Sequence, residues 1–174
     1  PLGWHFSVLV KSERISQDRI PTSVGIDRGV AVPLMLSDGT EILLPVNINK
    51  LEKKKRKAQK LLARKKRGSR RYQKARHRVS RLSSKVARMR KHWQHVETTK
   101  IANSYGTVVV ENLKTANMTK SAKGNVDQHG RNVAAKAGLN RSILNVGWHG
   151  IEQKLSYKLE ERNGILVKVN PAYT

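Results

Sequence analysis

Two apolar runs in this chain end in acid: Ser23-Val24-Gly25-Ile26 stops at Asp27, and Thr107-Val108-Val109-Val110 stops at Glu111. Short apolar runs of this kind read as strands buried in a sheet, so any fold for the chain has to place a carboxylate at the end of each. The chain carries 12 Asp and Glu against 36 Lys and Arg, which makes acid at both positions a feature that needs a reason. A buried carboxylate is costly unless a cation or a set of hydrogen-bond donors meets it. Two of them brought together by folding would make a site for a divalent metal ion.

The formal net charge of +24 over 174 residues repels itself unless a polyanion accompanies it. Nucleic acid is the first candidate and an acidic membrane the second. No stretch approaches the roughly 18 to 20 apolar residues of a membrane span, and no apolar signal core opens the chain. With no cysteine there is neither a disulfide framework nor a thiolate zinc site within this sequence, which fits an intracellular protein. Pro1-Leu2-Gly3 reads as a cloning remnant. Because Thr174 directly follows a strand-like run, the sequence is expected to be a fragment.

Trp4 to Val10 alternates loosely, with Trp4, Phe6, Val8 and Val10 on one side, and predicts a strand. A polar loop follows from Lys11 to Thr22. Val24 to Leu36, the turn signal Ser37-Asp38-Gly39, and apolar Glu41 to Val46 predict two or three antiparallel strands joined by tight turns.

From Lys50 to Lys91 there are 21 Lys or Arg residues and one acid, Glu52. Gly68-Ser69 interrupts the run, which predicts two helices joined by a turn. In the second, Val79, Leu82, Val86, Met89, Trp93 and Val96 are spaced 3, 4, 3, 4, 3, the interval of a packed helical pair. Leu51, Ala58, Leu61 and Leu62 are the expected partners in the first. At 1.5 Å per residue, a helix from Arg70 to Asn103 would be about 50 Å long. After Tyr105-Gly106 and the strand ending in Glu111, Lys114 to Leu139 reads as a polar loop. Asn140 to Arg162 returns to helical spacing, Asn163-Gly164 is a stop signal, and Ile165 to Val169 is a last strand. These elements predict a mixed sheet with helices packed on it.

Asp27 alone could be a turn former before Gly29, and Glu111 alone a strand-end charge beside Lys114. Together they suit metal-dependent phosphoryl transfer, in which two ions activate water and stabilise the leaving oxygen. A third acid is expected, and none after Glu111 convinces: Asp127 lies in a polar loop, and Glu152, Glu160 and Glu161 read as surface positions of a helix. The metal site is therefore expected to be incomplete in this chain.

The basic hairpin is almost single-signed, which favours contact with nucleic-acid backbone over a merely solvated surface. The expected contact residues are Lys53, Lys54, Lys55, Arg56, Lys57 and Lys60 in the first helix. Arg64, Lys65, Lys66 and Arg67 follow before the turn, with Arg70, Arg71, Lys74, Arg76, Arg78 and Arg81 in the second helix. The six histidines show no spacing for zinc; His92 and His95 read as facing nucleic acid or solvent. No phosphate-cradling GxxxxGK[ST] loop is present, which argues against ATP hydrolysis.

In this order, SVGIDRGV, the basic hairpin, TVVVENLK, GLNRSILNVGW, KLSYK and VKVNPAYT resemble the RuvC-like nuclease portion of TnpB, the OrfB-type transposase-like family of RNA-guided DNA endonucleases of insertion sequences. The resemblance runs from Val24 to Thr174, and Trp4 to Val10 resembles the end of the preceding β-rich domain. It implies an α/β, RNase H-like (RuvC-like) mixed sheet with an inserted long basic helical hairpin. By the same resemblance, Asp27 and Glu111 are catalytic, metal-binding carboxylates for Mg²⁺ or Mn²⁺, with a third carboxylate beyond Thr174, after a zinc ribbon that this sequence lacks. The implied partners are guide RNA, target DNA and the RNA–DNA heteroduplex, with no membrane, in a cytoplasmic prokaryotic setting. The implied organisation is 1–22 as the end of a preceding domain and linker, 23–49 as the first RuvC-like strands, 50–104 as the hairpin and 105–174 as the rest of the nuclease portion. Two rivals stay open: an RNA-guided binder whose metal site has decayed, and a DNA-strand-transfer transposase on the same fold.

Overall fold

The computed structural model describes residues 6–10, 18, 20–125 and 128–173. Five strands form one sheet: β1 (Ser23–Asp27), β2 (Leu34–Leu36), β3 (Glu41–Ile42), β4 (Thr107–Glu111) and β5 (Ile165–Val169). Their spatial order is β3-β2-β1-β4-β5. β1, β2 and β3 pair antiparallel, while β4 pairs parallel with both β1 and β5. This mixed, partly parallel sheet with flanking helices is what the element pattern predicts, and it is consistent with the RNase H-like arrangement that the resemblance implies.

Parallel neighbours need long crossovers, and both are helical. Between β3 and β4 run α1 (Val46–Ala63) and α2 (Arg70–Ser104); between β4 and β5 run α3 (Thr115–Met118), α4 (Val133–Val146) and α5 (Trp148–Glu160). The turn between α1 and α2 is built as its residues dictate: Gly68 takes a positive φ of 81°, and the Ser69 hydroxyl accepts from the Tyr72 amide to cap α2. With 35 residues, α2 is about 52 Å long.

One face of the sheet carries the core. Val24 and Ile26 of β1 and Val108 and Val110 of β4 are buried with Trp93 and Ile101 of α2 and Ile151, Leu155 and Leu159 of α5. The alternate positions stay open: Asp27 is exposed, and Gly25, Val109 and Glu111 are half-buried. The two central strands are therefore buried on one face only, and their acids fall on the open face.

Four further details depart from the sequence reading. Phe6 to Val10 form no strand, and Phe6, Val8, Leu9 and Val10 are exposed; apolar alternation cannot make a strand without a neighbouring ladder to satisfy its backbone. Trp4 and His5 lie outside the described residues, as do most of the predicted loop Lys11–Thr22, Asp127 and Thr174. The hairpin seam departs at one residue: Leu51, Ala58 and Leu62 turn inward as expected and Ile48 joins them, whereas Leu61 is 49% exposed, because the inward stripe of α1 falls at 48, 51, 55, 58 and 62. The segment expected to be loop to Leu139 is already helical from Val133, and the single helix expected from Asn140 to Arg162 is broken at Gly147, which has φ 73°. The Val146 carbonyl at that break accepts from the buried Gln94 side chain at 3.1 Å, and the Gly147 carbonyl, which opens α5 by accepting from the Gly150 and Ile151 amides, accepts from the same group at 3.0 Å.

Candidate active site and nucleic-acid interface

The ladder between β1 and β4 pairs Ser23 with Thr107 and continues through Ile26 with Val110. One residue further in the same register stand Asp27 and Glu111, so the two acids end adjacent parallel strands at one level. Neighbouring strands lie about 4.8 Å apart. Both acids line a single groove of about 460 Å³ together with Gly25, Met35, Ser37 and Val169. The groove opens outside the carboxyl ends of the two parallel strands, where open α/β sheets bind ligands. A tight loop leaves β1 here: a Cβ on Gly29 would stand 2.6 Å from the Val32 carbonyl oxygen, so the chain can fold back only with glycine at that position.

Carboxylate oxygens are hard donors that suit Mg²⁺ or Mn²⁺, and two at one level in one groove fit such an ion chemically. Among the described residues no group of three or more His, Asp or Glu side chains converges on a metal position, and the pair alone would offer an incomplete ligand set.

Glu152 does not occupy the solvent-facing position expected of it. Its side chain is 22% exposed and bridges Arg28 at 3.4 Å and Lys168 at 2.5 Å. Burial alone would raise its pKa, but the contacts with Lys168 and Arg28 outweigh it and hold the carboxyl below the ordinary glutamate value. Arg28 was also missed by the sequence reading; its position next to Asp27 was the one available signal. Glu160 and Glu161 are exposed as expected.

The basic hairpin presents its charge outward. Of the sixteen Lys and Arg expected to contact nucleic acid, all are exposed except Lys55, which is half-buried and bonded to Glu52 at 2.6 Å. Lys54 of α1 and Lys74, Arg78 and Arg81 of α2 converge on a groove of about 790 Å³, joined by His77, Lys85 and Arg88. Lys85 and Arg88 were missed because their spacing from Arg81, at 4 and 7 residues, becomes a face only once the helix is known. Glu52 also reaches Arg90 at 3.5 Å, and Arg90 donates to Asn145 of α4, which ties the base of the hairpin to the sheet domain. Burial lowers the Arg90 pKa, while Glu52 works against that shift. His95 is not a fully exposed position: it is half-buried, with the Tyr157 hydroxyl 3.4 Å from its Nδ1.

The sequence pattern of OrfB from IS605, described as a probable transposase, matches residues 5–122. The chain belongs to this OrfB/TnpB family. Curated relatives described as "Putative RNA-guided DNA endonuclease" include InsQ of Escherichia coli (strain K12), 43% identical over 174 residues, covering 98% of this chain and 43% of InsQ. Another, from Streptomyces pristinaespiralis, is 28% identical over 155 residues, covering 89% of this chain and 35% of the relative. This OrfB-family chain thus spans less than half the length of the curated relatives it matches. Among its described residues no helix is long and apolar enough to cross a membrane.

Proposed function

We propose that the chain is the RuvC-like nuclease portion of an RNA-guided DNA endonuclease of the TnpB type, acting on DNA phosphodiesters. The observation that carries this reading is the placement of Asp27 and Glu111 at one level of adjacent parallel strands, in one groove. These carboxylates would hold Mg²⁺ or Mn²⁺, which supplies an activated water and charge stabilisation at the leaving oxygen. The open sheet face leaves room for a phosphodiester to approach both acids. Glu152, held below the ordinary glutamate pKa by Lys168 and Arg28, offsets part of the positive charge that these two side chains bring to the strand ends.

The groove of Lys54, Lys74, Arg78 and Arg81 would track the backbone of guide RNA or of the guide–target heteroduplex, while base pairing reads the sequence. In this reading residues 1–22 close a preceding domain, 23–49 and 105–174 build the nuclease portion and 50–104 form the inserted hairpin. The third carboxylate and a zinc ribbon belong beyond Thr174, and the setting is the cytoplasm of a prokaryote.

The test is Asp27→Ala and Glu111→Ala in the full-length protein with its guide RNA. Cleavage is expected to be abolished and guided DNA binding retained; undiminished cleavage by either variant overturns the assignment. The 174-residue chain by itself is expected to cleave poorly. Strand transfer in place of cleavage would favour the transposase reading, and retained binding without metal uptake the decayed-site reading.

A further inference from the structure

We propose that Arg28 is a positioning residue that fixes the spacing and the field of the Asp27–Glu111 pair, with Glu152 as the counter-charge that makes a cation tolerable there. The inference rests on the reading of that pair as metal ligands. The β1–β4 ladder runs to Ile26 with Val110, one residue short of the two acids. At the level of the acids a side chain adds a link between the strands: the Arg28 Nη2 group donates to the main-chain carbonyl of Glu111. That same carbonyl accepts from the Leu113 amide at 3.0 Å, which turns the chain out of β4.

The second arm of the guanidinium, Nη1, lies 3.4 Å from Glu152 Oε2 on α5, and Glu152 Oε1 lies 2.5 Å from Lys168 Nζ on β5. One planar group therefore joins the ends of β1 and β4 to α5, and through Glu152 to β5. Lysine cannot reproduce this, because an ammonium is a single point charge without the fork that reaches two partners at once.

The arginine side chain is 3% exposed, and its Nε is buried without a hydrogen-bond partner among the described residues. A buried cation with an orphan donor weakens a fold unless it is needed there. Next to two carboxylates it carries a second liability, since its positive charge competes with a metal ion. Glu152, which Arg28 shares with Lys168, offsets part of that charge. The pair then supplies rigidity at a smaller loss of negative potential at Asp27 and Glu111 than an unpaired arginine would cause.

The experiment uses the full-length protein with its guide RNA and Mn²⁺ as the probe, with affinity read by electron paramagnetic resonance and folding by thermal unfolding. Arg28→Lys and Arg28→Met are expected to weaken Mn²⁺ binding by about 10- to 100-fold, the usual effect of losing a group that orients metal ligands. Glu152→Gln, which leaves the Arg28 charge uncompensated, is expected to weaken it as well. Arg28 variants with a lowered melting temperature but wild-type Mn²⁺ affinity would assign Arg28 a purely structural role and overturn the proposal. So would wild-type affinity in well-folded Arg28→Lys. If Arg28→Met does not fold, Arg28→Lys and Glu152→Gln decide the matter by the same criterion. Asp27→Ala separates the two levels of inference. Lost Mn²⁺ binding in Asp27→Ala beside unaffected Arg28 variants refutes only the positioning role, whereas unaffected binding in Asp27→Ala refutes the metal-ligand reading itself.

Discussion

Lys158 Nζ lies 2.9 Å from Thr98 Oγ1, inside the seam where α5 packs on α2. It also donates to the Thr99 hydroxyl and the His95 carbonyl, each at 2.6 Å. Burial holds the ammonium below the usual lysine pKa, and Arg162 and Lys154 push in the same direction, with Glu161 opposing. The threonine hydroxyls keep carbonyl partners of their own, Thr98 on Gln94 and Thr99 on His95. Lys158→Met should therefore be nearly neutral, since it fills the volume without a buried charge. Lys158→Ala, which leaves a void as well, should cost about 1–3 kcal/mol. Urea unfolding of the two variants checks the contrast.

Acid should destabilise the fold in two steps. His95 is held below its usual 6.5, by burial first and then by Lys158, Lys154, Lys91 and His92. The unfolded chain then binds the proton more readily, so stability falls as pH drops below 6.5 toward the folded value. Glu152, whose folded pKa lies below the usual 4.5, contributes stability above pH 4.5 that is lost as pH falls through its folded value. His95→Gln should remove the upper step and Glu152→Gln the lower, read from urea midpoints across pH.

The hairpin groove should bind nucleic acid through phosphate charge. Replacing Arg78, Arg81 and Lys85 together with Gln is expected to lower the slope of log affinity against log salt by about 2–3, at roughly 0.7–0.9 for each phosphate no longer neutralised. Affinity should fall equally for RNAs of unrelated sequence, because binding to the backbone carries no sequence information. A titration across salt concentrations measures both.

The inward stripe of α1 predicts an asymmetry between two aliphatic residues. Ile48 is fully buried and Leu61 is 49% exposed. Ile48→Ala should cost about 2–5 kcal/mol. Leu61→Ala should stay within about 0.5 kcal/mol, and chemical denaturation distinguishes them.

Much of this architecture was legible in the sequence because it rests on local signals. Gly68-Ser69 carries the positive φ and the cap that the turn between α1 and α2 requires. The seam of Val86 and Trp93 is buried as its heptad spacing predicts, and β4 and β5 match their apolar runs. Asp27 and Glu111 stood out for the same reason, as acids closing runs of strand formers.

What the sequence could not contain is anything set by a partner far along the chain. Glu152 read as a surface residue because helical spacing says nothing of Arg28, 124 residues away. At the break at Gly147, Gln94 of α2 donates to the carbonyls of Val146 and Gly147, a partner 52 residues away that helical spacing does not reveal. Phe6 to Val10 show the converse, since strand character is realised only where a ladder exists. Sequence by itself determined the hairpin helices, the strands from β1 to β5 and which two carboxylates end central strands, because periodicity and turn chemistry act within a few residues. Only the tertiary structure decided that these acids stand at one level in one groove and that Arg28 ties their strands together, because register and ion pairing are properties of elements meeting in space.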